Sequence, residues 1–138
     1  MNDPDAYLWS AMDSAILRED PPSSGQKPPF DLEERTALFG EAVIRFCKKL
    51  PLNPVNNRLI DQLVGAGTSI GANYCEATER LSQKDFRCAI SRCVKETKES
   101  RFFLRMCATA EPKLADEART LYREATQLLR ILGSMYQK

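Results

Sequence analysis

The chain has 138 residues, of which 43% are hydrophobic and 28% are charged, and its formal net charge is +1. This composition is typical of one folded globular domain and is too apolar for a wholly disordered chain. The sequence shows no secretory leader and no apolar run near the ~20 residues that a membrane-spanning helix needs, so we expect a cytoplasmic protein.

The residue types that carry most enzyme and metal chemistry are scarce. Histidine is absent, which removes the commonest general base and the commonest neutral metal ligand. The five cysteines are odd in number and lack Cys-x-x-Cys spacing, so neither a zinc site nor a disulfide framework is predicted. Glutamates three residues apart, such as Glu76 and Glu79, more often form surface ion pairs than di-metal sites, which also use histidine. We expect a non-enzymatic protein with no catalytic residue, metal or cofactor.

Charge is distributed unevenly along the chain. Residues 1–34 contain two basic and eight acidic side chains, a net of −6, whereas residues 35–138 contain 18 basic and 11 acidic ones, a net of +7. This asymmetry suits polyanion binding or self-masking of a basic surface, and it is equally compatible with two unrelated solvated surfaces.

Residues 1–30 predict an acidic N-terminal extension. Asp3 and Pro4 are suited to begin a short helix over residues 3–19, and the segment PPSSGQKPP at 21–29 predicts a flexible tether. The extension is either an arm that docks on another surface or a frayed tail. Trp9, the one tryptophan, favours docking.

Residues 31–138 predict four helices joined by short connections. We expect helix 1 over about 31–50, with Leu38 and Val43 in its apolar stripe, and helix 2 from Pro54 to about Arg80, with Val55 on its core face. Ser82 and Asp85 predict the start of helix 3, which runs to about Ala110. Helix 4 is predicted from about Pro112 to Tyr136, where a heptad seam combines with a second apolar line that includes Tyr122 and Tyr136. The expected fold is an all-α, antiparallel, up-down-up-down four-helix bundle.

Helix 2 has a second stripe that contains small residues. Each glycine lowers helix propensity by about 1 kcal/mol, so a close helix-helix contact, within the subunit or between subunits, is the expected compensation. The segment GAGTSIG lacks the pattern of a phosphate-binding loop. The apolar surplus on helices 2 and 4 predicts a homo-oligomer, unless three neighbours within one bundle bury it. The candidate packing or interface residues are Ile60, Val64, Gly67, Gly71 and Cys75.

Helix 3 has seven cations within about 120° of arc, over roughly 37 Å of helix length. Such a face suits sequence-independent contact with nucleic-acid phosphates, although solvation or pairing with acids of a neighbouring helix is an equally ordinary role. Phe102 is the only aromatic residue interleaved with these cations, which gives little support to base-specific recognition. The candidate nucleic-acid-binding residues are Arg80, Lys84, Arg87, Lys95, Lys98, Arg101 and Arg105.

The stretch GAGTSIGANYCEA at residues 65–77, followed by KETKES and RFFL, resembles the bacterial four-helix bundle proteins known as ribosomal RNA intervening-sequence proteins. The resemblance covers about residues 31–137 and implies an antiparallel bundle that assembles into a ring, commonly a homopentamer. The chain is also similar to the basic, pentameric accessory proteins of diversity-generating retroelements, which associate with a reverse transcriptase and nucleic acid. It differs from them in its near-neutral charge and its extension. The family motif is carried by Gly65, Gly67, Thr68, Ser69, Ile70, Ala72, Asn73, Glu76 and Ala77.

Two functions remain open from the sequence, and an enzyme is a third that only a ligand or metal bound between the helices would support. The first is a homo-oligomeric scaffold whose basic helix 3 meets RNA or a reverse-transcriptase-like nucleoprotein. The second is a protein-interaction adaptor with no nucleic-acid role, in which the segment around Trp9 docks on a partner or on a neighbouring subunit.

Overall fold

A computed structural model describes residues 9–10, 31–79 and 82–137. The chain forms helices α1 (Leu32–Cys47), α2 (Pro54–Thr78), α3 (Gln83–Ala110) and α4 (Ala115–Gln137), and these described ranges contain no strand. The all-helical class and the four predicted helices are therefore confirmed. The short helix predicted over residues 3–19 lies outside the described residues, except for Trp9 and Ser10, which are helical.

Three helices begin at side-chain caps, including the one at Ser82 that the sequence predicts. The Asp31 carboxylate accepts a hydrogen bond from the backbone N–H of Glu33, and the Asn53 side chain accepts one from the N–H of Asn56. Ser82 accepts one from the N–H of Asp85. Each cap satisfies a backbone donor that the first helical turn cannot pair internally, which fixes where the helix starts.

Two helix boundaries differ from the predictions. Helix α1 ends at Cys47 rather than near Leu50, because the N–H groups of Lys49 and Leu50 bond carbonyls three residues back and tighten the chain before Pro51. Pro112–Leu114 forms a 3₁₀ turn, and α4 begins only at Ala115. No side-chain cap is present at Glu111 to start an α-helix there.

One core joins all four helices, and it contains most of the residues that the apolar stripes predict. Its fully buried members include Phe46, Leu63, Ile90, Leu104 and Leu132. The placement of Leu38 and Val55 in the core is wrong, since they are 52% and 63% exposed. Leu38 lies on a different side of α1 from the buried Phe39 and Val43. Val55 lies in the first turn of α2.

The helices surround the core as a cycle of neighbours. Contacts join α1 with α2, α2 with α3, and α3 with α4, and a smaller contact joins α4 with α1. Within the described residues, no Cα atom of α1 lies within 8 Å of one of α3, and the same is true of α2 and α4. Arg35 near the start of α1 pairs with Glu124 of α4 at 2.6 Å, and Lys49 after α1 pairs with Glu117 at 2.9 Å.

The glycines of α2 allow α1 to approach closely. A Cβ on Gly67 would lie 2.9 Å from a methyl carbon of Val43, and one on Gly71 would lie 3.2 Å from the hydroxyl of Thr36. Thr36 and Val43 are both buried in α1. The two glycines therefore lie in a helix-helix contact within the subunit, one of the two roles that their spacing predicts.

Candidate nucleic-acid interface

Helix α3 presents a row of cations to solvent. Lys84, Arg87, Lys95 and Lys98 are exposed and Arg105 is partly buried, and we call these five residues the basic face. In the part of the chain that the structure describes, none of the five forms an ion pair with a carboxylate. Arg80, also predicted to belong here, lies outside the described residues.

Arg101 differs from the rest of the predicted set because it contacts α4. Its guanidinium donates a hydrogen bond to the Tyr122 hydroxyl at 2.7 Å and lies 4.7 Å from the centroid of that ring. The side chain is partly buried. Arg101 therefore lies at the α3–α4 contact rather than on the fully solvated side of α3.

A groove of about 640 Å³ lies where the first turns of α3 approach the end of α4. The Arg87 guanidinium lies 5.1 Å from the Tyr136 ring centroid, so one wall combines a cation with an aromatic face. Tyr136 is 41% exposed in the single chain. The lining residues are Gln83, Lys84, Arg87, Cys88, Ser91, Arg92 and Tyr136.

Arg92 connects the groove to the motif on α2. Its Nε donates to the side-chain oxygen of Asn73 at 3.0 Å, and its terminal nitrogen donates to Glu76 at 2.9 Å. Asn73 in turn donates to the Ser69 carbonyl. The ion pair expected for Glu76 is thus formed, and it fixes α2 against α3. Because Arg92 is paired with Glu76, it adds little net positive charge to the groove wall.

Two other motif residues, Thr68 and Ser69, form hydrogen bonds within α2. Thr68 and Ser69 donate their hydroxyls to the carbonyls of Val64 and Gly65, one turn earlier, and Gly65 has no neighbour at its Cβ position. Ile60 and Val64 are partly buried, and exposed Cys75 lies 3.8 Å from a Glu33 oxygen. The motif thus brings α1 and α3 onto α2, while a role for Ile60, Val64 and Cys75 between subunits stays a prediction.

The four-helix region is also the part of the chain that matches a known protein family. The profile of the 23S rRNA-intervening sequence proteins matches residues 31–134, which include α1 to α3 and most of α4. The chain belongs to this family. Among solved structures, this intervening-sequence protein is similar to a protein of unknown function from the S23 ribosomal protein family of Bacteroides thetaiotaomicron, with a TM-score of 0.68 and 23% sequence identity. That similarity covers 78% of this chain and 99% of the other. No curated protein matches the chain.

Trp9 lies outside the family-matched region and packs onto it. The side chain is 2% exposed, and its ring meets Tyr122 edge to face with centroids 4.6 Å apart. The Arg119 guanidinium lies 5.9 Å from the Trp9 centroid. Residue 9 of this intervening-sequence protein therefore docks on α4 of its own chain.

The buried thiols of the core are expected to be unreactive. Cys47, Cys93 and Cys107 are buried, and burial raises the pKa of Cys47 and Cys93 to about 12 and that of Cys107 to about 11. They remain protonated near neutral pH, where a thiolate nucleophile is needed for catalysis. Among the described residues, no group of three or more cysteine, aspartate or glutamate side chains is placed to hold a metal, and no helix has the length and apolarity to cross a bilayer.

Sequence reasoning missed three residues that shape this surface. Arg92 lies beside the predicted stripe, but only the pairing of α2 with α3 brings it to Asn73 and Glu76. From the sequence, Arg119 is an ordinary charged residue of a helix and Tyr122 an ordinary core residue. The helical spacing of α4 does not predict that both contact Trp9. These contacts depend on which helices become neighbours.

Proposed function

We propose that this protein is a non-enzymatic, homo-oligomeric scaffold that binds structured RNA, alone or within a nucleoprotein, through the basic face of α3. One observation carries the proposal, namely that the five cations of the basic face make no ion pair within the described residues. Cations that are not already neutralised retain their attraction for phosphate, and release of RNA counterions makes such contacts favourable at low salt.

The groove beside Tyr136 supports the same function. Lys84 and Arg87, which form no ion pair within the described residues, bring two cations to one concave surface, whereas Arg92 at the same surface is paired with Glu76 of α2. Phosphates that follow α3 would pass this surface. Because the contacts are mostly to charge rather than to base edges, we propose recognition of RNA shape and backbone, with little sequence preference.

The finer architecture is part of the proposal. We propose that the helices alternate in direction, up-down-up-down, since Asn56 near the start of α2 bonds Glu111 at the end of α3 whereas Asn73 near the end of α2 bonds Arg92. We also propose a homopentamer, the assembly that the first family resemblance implies, located in the cytoplasm, where five free cysteines remain reduced. Repetition of the basic face around a ring would enlarge the positive surface.

Charge reversal tests the RNA proposal. We expect Lys84→Glu, Lys95→Glu and Lys98→Glu, combined, to weaken binding of a hairpin RNA at least tenfold and to reduce the salt slope by about one unit per lost phosphate contact. Fluorescence anisotropy between about 50 mM and about 200 mM salt measures both. The matched control combines Lys48→Glu, Lys113→Glu and Arg123→Glu, since these three cations are exposed, lie off α3 and give the same change in net charge. An equal loss in the control, or no binding at low salt, contradicts the proposal.

A second function, as a protein-interaction adaptor, is favoured by a different surface. A mainly apolar groove of about 600 Å³ lies between the start of α2 and α3, lined by Pro54, Val55, Arg58, Leu59, Gln62 and Phe103. Exposed apolar surface of this kind marks protein-protein contacts in many proteins. The adaptor alternative predicts that the triple charge reversal on α3 leaves partner binding intact.

A further inference from the structure

Two aromatic side chains are exposed to solvent beside the cations of α3. Of the aromatic residues that the structure describes, only Phe102 and Tyr136 are exposed, at 55% and 41%. Tyr136 lies against Arg87, whose guanidinium is 5.1 Å from the ring centroid. The exposed large aliphatic residues of the described ranges lie elsewhere, on α1, on α2 or in the connection between these helices. The exposed aromatic and aliphatic residues therefore occupy different surfaces.

Helical geometry places Phe102 next to cations of the basic face. Lys98 precedes it by four residues and Arg105 follows it by three, so both are its neighbours on the helix surface. Lys95, two turns away, lies within about 20° of Phe102 around the helix axis. Glu99 borders the ring on the side of α3 that faces α2, whereas Lys98 and Arg105 border it on the side toward α4. The three cations form no ion pair within the described residues, so an exposed ring adjoins a positive surface.

Phe103 supports the ring of Phe102. The two rings meet edge to face, with centroids 5.2 Å apart and planes at 81°. Phe103 is partly buried and packs against the core, so it restricts the orientation of its neighbour. An edge-to-face contact uses at most one face of the Phe102 ring. With the side chain 55% exposed, the ring is accessible to a second flat group.

We propose that Phe102 and Tyr136 are two sites on which unpaired RNA bases stack, so that the basic face binds single-stranded RNA in preference to duplex RNA. The inference rests on the proposed function and deepens it, because it names the form of RNA that the same surface recognises. Bases within a duplex are stacked on each other, whereas an unpaired base presents its π-face to an aromatic side chain. Because every base has such a face, stacking adds affinity without base-specific recognition.

Charge favours an RNA strand over an apolar protein surface as the ligand of these rings. An apolar partner seated on Phe102 would remove Lys98 and Arg105 from water without pairing them, which is costly. Phosphates on either side of a stacked base would instead pair with those cations. Arg87 beside Tyr136 repeats the combination of ring and cation. Because Arg87 and Phe102 are roughly 22 Å apart along α3, a short single strand can contact both rings.

Substitution of Phe102 tests the stacking directly. We expect Phe102→Leu, which removes the ring but keeps an apolar side chain, to weaken binding of an oligouridylate of about 12 nucleotides about tenfold. Binding of a duplex RNA of the same length should change less than about twofold. Phe102→Tyr keeps the ring and should bind the oligouridylate within about twofold of the wild type. Fluorescence anisotropy at about 50 mM salt measures these affinities.

Tyr136 and an exposed aliphatic residue complete the series. Tyr136→Leu should also weaken oligouridylate binding, and the losses of Phe102→Leu and Tyr136→Leu should multiply in the double variant, since distant sites act independently. Leu52→Ala is the matched control, because Leu52 is 82% exposed in the connection between α1 and α2. This control should leave both RNA affinities unchanged. An equal loss in Leu52→Ala contradicts a specific role for the two rings.

Salt dependence separates a lost stacking contact from a disturbed basic face. Removal of an uncharged ring leaves the number of phosphate contacts the same, so Phe102→Leu should keep the wild-type slope of log affinity against log salt. The triple lysine reversal should reduce this slope. A reduced slope for Phe102→Leu overturns the inference. So does a lower mass of Phe102→Leu in light scattering, because Phe102 would then lie in a contact between chains. Circular dichroism verifies that the variants are folded.

The failures of the two proposals are distinguishable. If both RNAs bind and depend on the α3 lysines, but Phe102→Leu binds the oligouridylate as the wild type does, the stacking inference is wrong and the proposed function stands. If Phe102→Leu weakens both RNAs equally, the preference for unpaired bases is also wrong. If neither RNA binds the wild type at low salt, both proposals are overturned.

Discussion

At the scale of single residues, the close packing of α1 on α2 depends on Gly67 having no side chain, because Val43 lies against it. A Cβ at position 67 would lie 2.9, 3.0 and 3.1 Å from three carbons of the Val43 side chain. Valine is stiff about χ1, so it cannot rotate away as a long side chain would. The clash outweighs the better helix propensity of alanine.

We predict that Gly67→Ala destabilises the protein by up to about 2 kcal/mol, because overpacking costs about 1–3 kcal/mol and the propensity gain is about 1 kcal/mol. Urea unfolding followed by circular dichroism measures the change. Gly65→Ala is the matched control, since nothing lies within 4 Å of its Cβ position, and it should stabilise by up to about 1 kcal/mol. Adding Val43→Ala to Gly67→Ala should recover part of the loss, and strict additivity would show that the two residues do not clash.

The buried thiols make stability sensitive to alkaline pH. Burial raises the pKa of Cys47 and Cys93 to about 12 and that of Cys107 to about 11, whereas an unfolded thiol has a pKa near ~8.5. Above that lower value the unfolded chain loses these protons and the folded chain keeps them. The thiol contribution to stability is therefore complete below about pH 8.5 and declines as pH rises toward the folded pKa values.

We predict that the free energy of unfolding falls between about pH 8.5 and about pH 10.5, by up to ~1.4 kcal/mol per pH unit for each buried thiol. Cys107→Ala should reduce this slope by one thiol's share, even though it lowers stability at neutral pH. Cys88→Ala, at an exposed position, should keep the wild-type slope. Identical slopes in all three proteins would mean that the core thiols do not carry the effect. Urea midpoints across the pH series supply the data.

At the scale of elements, the starts of α1, α2 and α3 and the end of α3 were predictable, whereas the end of α1 and the start of α4 were not. Ser82 and Asn53 are polar side chains followed by helix-forming sequence, and the structure uses both as caps. The end of α1 depends on tightening of its last turn at Lys49 and Leu50, and no single residue type predicts where this tightening begins. The apolar stripes also predicted most core positions, but not that the first turn of α2 would leave Val55 beside a groove.

Loss of a cap should weaken α2 selectively. We predict that Asn53→Ala costs about 1 kcal/mol of stability, because the N–H of Asn56 loses the side-chain oxygen that accepts it at 2.8 Å. Asn57→Ala, an exposed position in the first turn, should change stability by less than about 0.5 kcal/mol. Thermal unfolding of the two variants compares them. Equal melting temperatures would contradict a capping role for Asn53.

At the scale of the whole molecule, the sequence supported the class and the family but only part of the surface. Periodicity shows which side of each helix is apolar, and the motif at 65–77 indicates the family, as the match over residues 31–134 confirms. Neither shows that Arg101 contacts Tyr122 or that Arg92 joins Asn73 and Glu76. Those contacts arise from the order of helices around the core, which brings together residues 16 to 21 positions apart.

We expect self-association to use the apolar groove between α2 and α3, because Gly67 and Gly71 of α2 are already covered by α1. Val55 lines this groove and is 63% exposed, so it can be changed without a direct cost to the core. We predict that Val55→Glu reduces the mass measured by multi-angle light scattering to that of one 15.6 kDa chain, with helix content unchanged. Leu38→Glu, on α1 and 52% exposed, is the control that should keep the oligomer. If Val55→Glu and the wild type have the same mass above one chain, the subunits meet elsewhere, and if the wild type is itself a monomer, the proposed ring and its pooled basic surface are wrong.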